Sequence, residues 1–291
     1  MIKFLLAARK KPQDTQERYF YEWGIIHVAL MLTTPAVMKT FRRYVQHYSV
    51  IGANRNISNA MLIHPLSAMA WDNFAEHWIE QEADFDIILY HDDYKQRMQP
   101  HMFGDYNFVV EVCHGETIYE QAGFESGGVK LIQFLKKQPE LLHAEFAEQL
   151  RTHHAPIMLA ATQGLIRKYV QNTHLPLDPA RLKGTLFEKG GVGQFSGIEE
   201  FWFNSLEDLL KLRQDPAIYN AITASEATFV EPNGCFSMVT MERVIYDFTL
   251  PEGKRSPLPA VLNPDSLEAS IYRQGLRDWN KEKGFRFKVQ G

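Results

Sequence analysis

The hydrophobic pattern of the chain runs through the same series of elements twice. Short apolar runs at 2–8 and 129–135 predict buried strands, and helical stretches follow at 13–32 and 140–160. On the first helix the apolar and aromatic residues recur at intervals of three and four positions, which places them on one face. Further strands are predicted at 43–50, 74–79, 108–119, 167–174, 198–204 and 235–246, and further helices at 84–99 and 205–222.

Each half therefore has the order strand, helix, strand, strand, helix, strand. This is the order of a ferredoxin-like unit, an antiparallel four-stranded sheet with helices on one face. Local motifs repeat in the same order: the tetrapeptide at Arg43–Gln46 returns 125 positions later at Lys168–Gln171. A repeat of roughly 120 residues is too long for a stacked array with its ~20–50 residue period, so it indicates two fused, like domains.

The sequence also predicts the domain boundaries. A glycine-rich stretch between the two copies has the composition of a linker, and the end of the chain belongs to neither copy. The predicted organisation is a first repeat, a linker, a second repeat and a C-terminal arm with a helix, at 1–122, 123–128, 129–248 and 249–291.

These patterns resemble the EthD-like family of the dimeric α+β barrel superfamily. The resemblance rests on the first strand, the helix with its histidine, the Arg/Lys-Tyr-Val-Gln strand and the acidic strand around a tryptophan, and it covers roughly residues 1–120 and 127–248. It implies an α+β fold in which two ferredoxin-like halves face each other and close a pseudo-two-fold barrel. It also implies a pocket between sheet and helices in each half. Such barrels include cofactor-free cyclases, lactone isomerases, anthrone-type monooxygenases and haem enzymes, so the fold restricts the chemistry only weakly.

Two histidines are the leading candidates for catalysis. His27 and His154 occupy matched positions on the two first helices, and the resemblance places the family's characteristic histidine there, facing the pocket. An imidazole in an apolar cleft is a ready general acid or base; the structural alternative is a core histidine with a backbone partner. His153 adds an imidazole that the first copy lacks. Together with a predicted glycine-rich flap at 189–193, it favours the second pocket as the working one.

Aromatic and amide side chains complete the predicted site. Tyr44 and Tyr169 are the further catalytic candidates, because a phenol beside an amide can orient a carbonyl or hold an enolate oxygen; their alternative role is core packing. The candidates for substrate binding are Trp23, Gln46, Gln171, His153, Trp78 and Trp202. His77 becomes Phe201 in the second copy, which argues against shared machinery there.

The composition argues against several classes of binding partner and cofactor. A net charge of −4 without a basic block argues against nucleic acid, and no apolar run reaches the ~18–20 residues that cross a bilayer. Two cysteines outside any metal-type pair favour a cytoplasmic setting. The 11 histidines include no metal-binding spacing and there is no phosphate loop, so no metal or other cofactor is expected. A metal site assembled from residues far apart in the sequence stays open as an alternative. A homodimer of the fused barrel is compatible with this sequence.

Three functions fit the sequence. The first is a cofactor-independent enzyme that uses a pocket histidine for acid–base chemistry on a small hydrophobic, aromatic or polyketide-like substrate, as a lyase, dehydratase, decarboxylase or cyclase. The second is a cofactor-free monooxygenase of the same fold. The third is a non-catalytic protein that binds such a ligand, and it has no need for paired imidazoles.

Overall fold

A computed structural model describes residues 1–50, 58–67, 71–98, 103–188 and 191–254, with residues 270, 274, 275 and 277. Most of the C-terminal segment predicted as an arm and helix lies outside the described residues. The strands are β1 (Ile2–Lys10), β2 (Arg43–Ser49), β3 (Asn73–Ile79), β4 (Gly104–Glu120), β5 (Val129–Leu135), β6 (Ile166–His174), β7 (Gly191–Val192), β8 (Gly197–Phe203) and β9 (Phe236–Asp247). All eight predicted strands are confirmed, and β7 is additional.

The helices cover the predicted ranges but are divided into shorter segments. The α-helices are Gln16–Tyr21, Val28–Leu32, Pro35–Thr40, Glu82–Tyr90, Asp92–Met98, His143–Gln149, Ala155–Ala161, Leu206–Gln214 and Pro216–Glu226. The predicted 205–222 helix divides at Asp215, which is extended and caps the next helix by accepting hydrogen bonds from two backbone N–H groups. Pro35 starts a short helix because proline is tolerated at the first helical position. Of these described helices, none is long and apolar enough to cross a membrane.

Eight strands form a closed antiparallel barrel. Their order is β1-β3-β2-β9-β5-β8-β6-β4, and β4 pairs with β1 to close the ring. The long strands β4 and β9 each pair first within their own half and then, farther along, with a strand of the other half: β4 with β6, and β9 with β2. Two seams of backbone hydrogen bonds therefore join the halves, and the short β7 pairs in parallel with β4 outside the ring.

A ring of four buried charges fills the middle of the barrel. The Lys3 ammonium lies 2.9 Å from the Glu200 carboxylate and 3.1 Å from that of Glu76. Lys130 also contacts both carboxylates, with its ammonium 2.9 Å from Glu76. All four side chains are at most 4% exposed. Burial raises the pKa of Glu76, but the two lysines outweigh it and hold that pKa well below its ordinary value. Glu200, which contacts the same lysines, likewise has a lowered pKa, so both carboxyls are ionised at neutral pH.

Each half also covers the helices of the other. Leu62, from the connection after β2, is buried among the helices of the second half, and Pro65 accepts a hydrogen bond from the Ser237 backbone N–H. In the opposite direction, Phe187, from the connection after β6, packs against Phe4 with ring centroids 5.3 Å apart. Arg181 on that connection pairs with acidic residues of the Glu82–Tyr90 helix. The two halves thus complete each other's cores.

The turn between the halves requires glycine. Gly128 has φ +78°, and a Cβ at this position would lie 2.0 Å from the carbonyl oxygen of Phe203. A side chain here would be strained in its backbone and would collide with β8. The glycine-rich sequence before β5 is thus needed for a close approach of the two chain segments.

We expect the charge ring to dominate the stability of the barrel. Lys130→Met should lower the free energy of unfolding by about 3–5 kcal/mol, because it leaves two buried carboxylates facing one lysine. The measurement is urea denaturation. Arg151→Met is the control, because its ion pair with Glu148 is more than half exposed and should matter little. Equal losses in the two variants would contradict the assigned role of the ring.

Candidate functional site

Both candidate histidines lie at the end of a π-helical stretch. These stretches, Glu22–His27 and Leu150–His154, interrupt the α-helical hydrogen bonding of the first helix in each half. A glutamine from the second strand satisfies a carbonyl in each stretch. Gln46 donates to the Trp23 carbonyl at 3.0 Å, and Gln171 donates to the Leu150 carbonyl at 2.9 Å. π-Helical turns of this kind are frequent at functional sites.

The same two glutamines hold the candidate tyrosines. Gln46 donates to the Tyr44 hydroxyl at 2.8 Å, and Gln171 donates to the Tyr169 hydroxyl at 2.5 Å. All four side chains are buried. The structure therefore brings together the predicted tyrosine and glutamine of each half, but their hydrogen bonds are used to fix the helix. Burial raises the pKa of both tyrosines well above the ordinary value, so both remain protonated at neutral pH.

A small cavity lies in the first half, between its sheet and its helices. His27 and His77 line it together with aromatic and aliphatic side chains, among them Phe103 against the His27 ring. Leu186 and Phe187, from the connection after β6, form part of the wall. The cavity measures about 20 Å³, which is room for roughly one water molecule.

The flap prediction is wrong about the pocket. The sequence placed the glycine-rich segment 189–193 over the second pocket, and residues 189 and 190 lie outside the described residues. The residues immediately before it, Leu186 and Phe187, line the cavity of the first half, and Gly191 pairs with Val109 of β4. The connection crosses over because β6 neighbours β4 in the barrel, which directs it toward the other half.

His77 is a site residue that the sequence comparison set aside. It lies directly opposite Tyr44 in the sheet, and the two rings stack with centroids 4.8 Å apart. Phe4 and Phe41 also contact its ring. Burial lowers the pKa of His77 from 6.5 to about 4, so this imidazole is neutral at physiological pH. In the second half Phe201 stacks on Tyr169 in the same way.

The second half has a buried polar cluster in the corresponding place. His154 is fully buried, and its Nδ1 lies 2.7 Å from the Ser225 hydroxyl oxygen. Its Nε2 lies 3.7 Å from Oε2 of Glu199, whose other carboxylate oxygen accepts a hydrogen bond from the Tyr169 hydroxyl. Burial raises the pKa of Glu199, opposed by His154. This carboxyl therefore retains a proton to a higher pH than an exposed glutamate.

A second histidine–carboxylate pair joins this cluster. His64, from the segment that crosses over from the first half, lies 3.2 Å from the Glu226 carboxylate. Burial lowers the pKa of His64, but Glu226 outweighs it and the net shift is upward. One oxygen or nitrogen each from His154, Glu199 and Glu226 lie within 4.8 Å of one another, an arrangement that could hold a metal ion.

The predicted substrate-binding tryptophans lie elsewhere. Trp78 and Trp202 face the barrel interior, where their rings lie 4.6 Å from the Lys3 ammonium and 4.1 Å from that of Lys130. Neighbouring residues of a strand point to opposite faces, so these rings are on the other side of the sheet from the pockets. Trp23 packs in the core with its ring 4.7 Å from that of Tyr48.

His153 does not enter the second site. It is exposed, while the next residue, His154, is buried. Consecutive helical residues point roughly 100° apart, so only one of the two histidines can face the sheet. The added imidazole in the second half comes instead from His64, which is distant in sequence.

Glu199 could have been found from the sequence. Strand β8 is buried along its whole length and contains the adjacent acids Glu199 and Glu200. Because adjacent strand residues face opposite sides, one of them must face the helices and lie near His154. In contrast, nothing in the local sequence places His64 or Glu226 beside it. Their approach depends on the crossing segment and on the end of the Pro216–Glu226 helix.

We expect His77 to make the protein sensitive to mild acid. Below pH 6.5 the unfolded chain protonates this histidine while the folded protein does not, so stability falls as the pH drops from 6.5 to about 4. The contribution is about 3 kcal/mol at most. His77→Phe, which copies the residue at the matched position 201, should remove this part of the loss. Urea denaturation at several pH values tests this, and an unchanged pH profile would contradict it.

Comparisons with known proteins agree with this architecture. The EthD domain model matches residues 138–233, and no curated protein sequence matches the chain. The chain is similar to the solved structure of an anthrone oxidase-like protein, with 13% identity over 84% of this chain and 92% of the other, and a TM-score of 0.54. It is also similar to a proposed monooxygenase from Lactobacillus acidophilus NCFM, with 10% identity, coverage of 84% and 94%, and a TM-score of 0.45. A mutant chlorite dismutase from Candidatus Nitrospira defluvii matches with 11% identity, coverage of 94% and 95%, and a TM-score of 0.43. The second half of the chain therefore contains a match to the EthD domain, and the chain shares its fold with the anthrone oxidase-like protein.

Proposed function

We propose that this protein is a cofactor-independent enzyme that performs acid–base chemistry on a small hydrophobic, aromatic molecule in the cavity of the first half. The observation that carries the proposal is that His27 and His77 line the same cavity, in a wall that is otherwise almost entirely aromatic and aliphatic. Imidazole exchanges protons more readily near neutral pH than other side chains. An apolar, water-excluding wall strengthens its interaction with a developing charge.

The two imidazoles have different roles in this proposal. His77 is neutral at pH 7 and offers one N–H donor and one acceptor. It is suited to hold a carbonyl or enol oxygen of the substrate. His27 takes up or returns the proton at the reacting atom, as the family resemblance implies. Proton transfer of this kind serves dehydration, decarboxylation and cyclisation equally.

Ligand entry requires the wall to open. A cavity of about 20 Å³ cannot hold an aromatic ring. Leu186 and Phe187 belong to a connection that crosses from the other half, so they can withdraw without breaking a barrel strand. We therefore propose that Phe187 leaves its place when the ligand binds.

The two halves are proposed to be fused ferredoxin-like repeats, as the sequence predicted. Supporting this, the strand order is β4-β1-β3-β2 in the first half and β9-β5-β8-β6 in the second, the same order when numbered within each half. The matched glutamine bonds to Trp23 and Leu150 agree with it. The free, buried thiols of Cys113 and Cys235 agree with the proposed cytoplasmic location.

A cofactor-free monooxygenase is the second candidate. The fold shared with an anthrone oxidase-like protein favours it, because a phenolate or carbanion formed beside a histidine can react with oxygen directly. Oxygen dependence separates the two candidates. A lyase turns over equally well in air and under nitrogen, and a monooxygenase stops under nitrogen.

We expect His27→Gln to reduce turnover by about 10²–10⁴-fold with the fold intact, because the change removes the proton acceptor. His153→Gln is the matched control, since the same change is made at an exposed histidine. Turnover is measured with the phenols and aryl ketones that shift the melting temperature. A loss confined to His154→Gln would move the active site to the second half and contradict the proposal. Retained turnover in both variants would favour the binding-protein alternative.

Phe187→Ala should convert the small cavity into one that accepts phenol. Removing the ring costs about 3–5 kcal/mol of stability but opens space beside both imidazoles. Phe134→Ala is the control, because Phe134 is equally buried but lies in a different core cluster. Calorimetric titration with phenol should detect binding in the first variant alone. Equal phenol binding in both variants, or in neither, would argue against an entry route at Phe187.

A further inference from the structure

The polar cluster of the second half contains two buried atoms that face each other without a bridging group. Among the described residues, neither Nε2 of His154 nor Oε2 of Glu199 has a hydrogen-bond partner. The two atoms lie 3.7 Å apart, and both side chains are fully buried. This separation is too long for a hydrogen bond. Buried polar atoms without a partner destabilise the folded protein.

The neighbouring hydrogen bonds determine which nitrogen of His154 is available. The Ser225 hydroxyl donates to the Ile222 carbonyl at 2.7 Å. Its oxygen must therefore accept the hydrogen bond from Nδ1 of His154, at 2.7 Å. The proton of the neutral ring is thus on Nδ1, and the lone pair of Nε2 points toward Glu199. Metal-binding histidines are oriented in this way, by donating through the nitrogen that does not bind the ion.

The carboxylate of Glu199 is also oriented so that one oxygen is available to an ion. The Tyr169 hydroxyl occupies one oxygen of Glu199 and leaves the other directed at Nε2 of His154. One carboxylate oxygen of Glu226 lies within 4.8 Å of a ligand atom of His154 and of Glu199, and His64 is 3.2 Å from Glu226. Two ligands of a tetrahedral ion at ~2.1 Å each lie roughly 3.4 Å apart, close to the observed separation.

A second acidic cluster in the same protein shows the contrast. His47, Glu76 and Glu200 also lie within 4.8 Å of one another. There, however, the ammonium groups of Lys3 and Lys130 lie between the carboxylates. Within the described part of the chain, the ion pairs of Glu199 and Glu226 involve only histidines. The barrel centre is thus neutralised by lysines, whereas the carboxylates of the second half face imidazoles, which can bind a metal ion.

We propose that His154, Glu199 and Glu226 bind a divalent transition-metal ion, with His64 available as a fourth ligand. Imidazole with carboxylate suits Zn²⁺, Fe²⁺ or Mn²⁺, whereas Ca²⁺ and Mg²⁺ prefer oxygen ligands alone. The site does not depend on the reaction proposed for the first half, because it lies in the other half and shares no residue with the cavity. Histidine spacing alone does not indicate this site, because its ligands come from distant parts of the chain.

The test uses the full chain after treatment with a chelator and desalting. Zn²⁺ is titrated by calorimetry, and Co²⁺ by its visible absorption, which reports imidazole and carboxylate ligands. The expected result is one bound ion per chain, with affinity at least about 100-fold weaker in His154→Gln and Glu199→Gln. His153→Gln, the same change at the exposed neighbour, should bind as the unchanged protein does.

Melting curves without metal establish that each variant is folded. Should His154→Gln fail to fold, Ser225→Ala replaces it: this change removes the group that directs Nε2 and should weaken binding about 10–100-fold. Absence of stoichiometric binding to the unchanged protein would overturn the proposal. Equal weakening by His153→Gln, or full affinity in both His154→Gln and Glu199→Gln, would do the same.

Discussion

Four buried charges at the barrel centre constrain the rest of the structure. Lys3, Lys130, Glu76 and Glu200 are removed from water, and the cost of burying them is offset because each lysine contacts both carboxylates. A shift of one residue in strand register would turn these charges toward the helices and leave them unpaired. The ring therefore fixes the register of β1 with β3 and of β5 with β8. With the register fixed, the intervening residues face the helices, which is where both candidate sites lie.

The same barrel carries chemically different side chains in its two halves. In the first half, β3 presents His77 to the helix side, and the crossing connection adds Phe187, so the site is apolar with two imidazoles. In the second half, Phe201 replaces that histidine, but Glu199 faces His154. Each half receives a covering segment from the other, so neither site is complete in an isolated half. Because both halves belong to one chain, their sites can differ, whereas the sites of a symmetric dimer of identical subunits cannot.

Much of the fold could be predicted because it depends on local periodicity. The eight strands, the matched histidines and the alternation that places Tyr44 and Gln46 on one face all follow from short-range patterns. Less of the candidate site could be predicted from the sequence. His77 was discounted because it is not repeated, although two halves of one chain need not use the same residues. The approach of His64 to Glu226 is a tertiary contact over 162 positions, and no local pattern carries it.

We propose that one barrel supports an apolar cavity in its first half and a cation site in its second half, and that the lysines exclude metal ions from the barrel centre. Anomalous diffraction from crystals grown with Zn²⁺ tests it most directly. The account predicts an anomalous peak between Nε2 of His154 and Oε2 of Glu199, and none at the cluster of His47, Glu76 and Glu200. A peak at the barrel centre, or no peak beside His154, would contradict it.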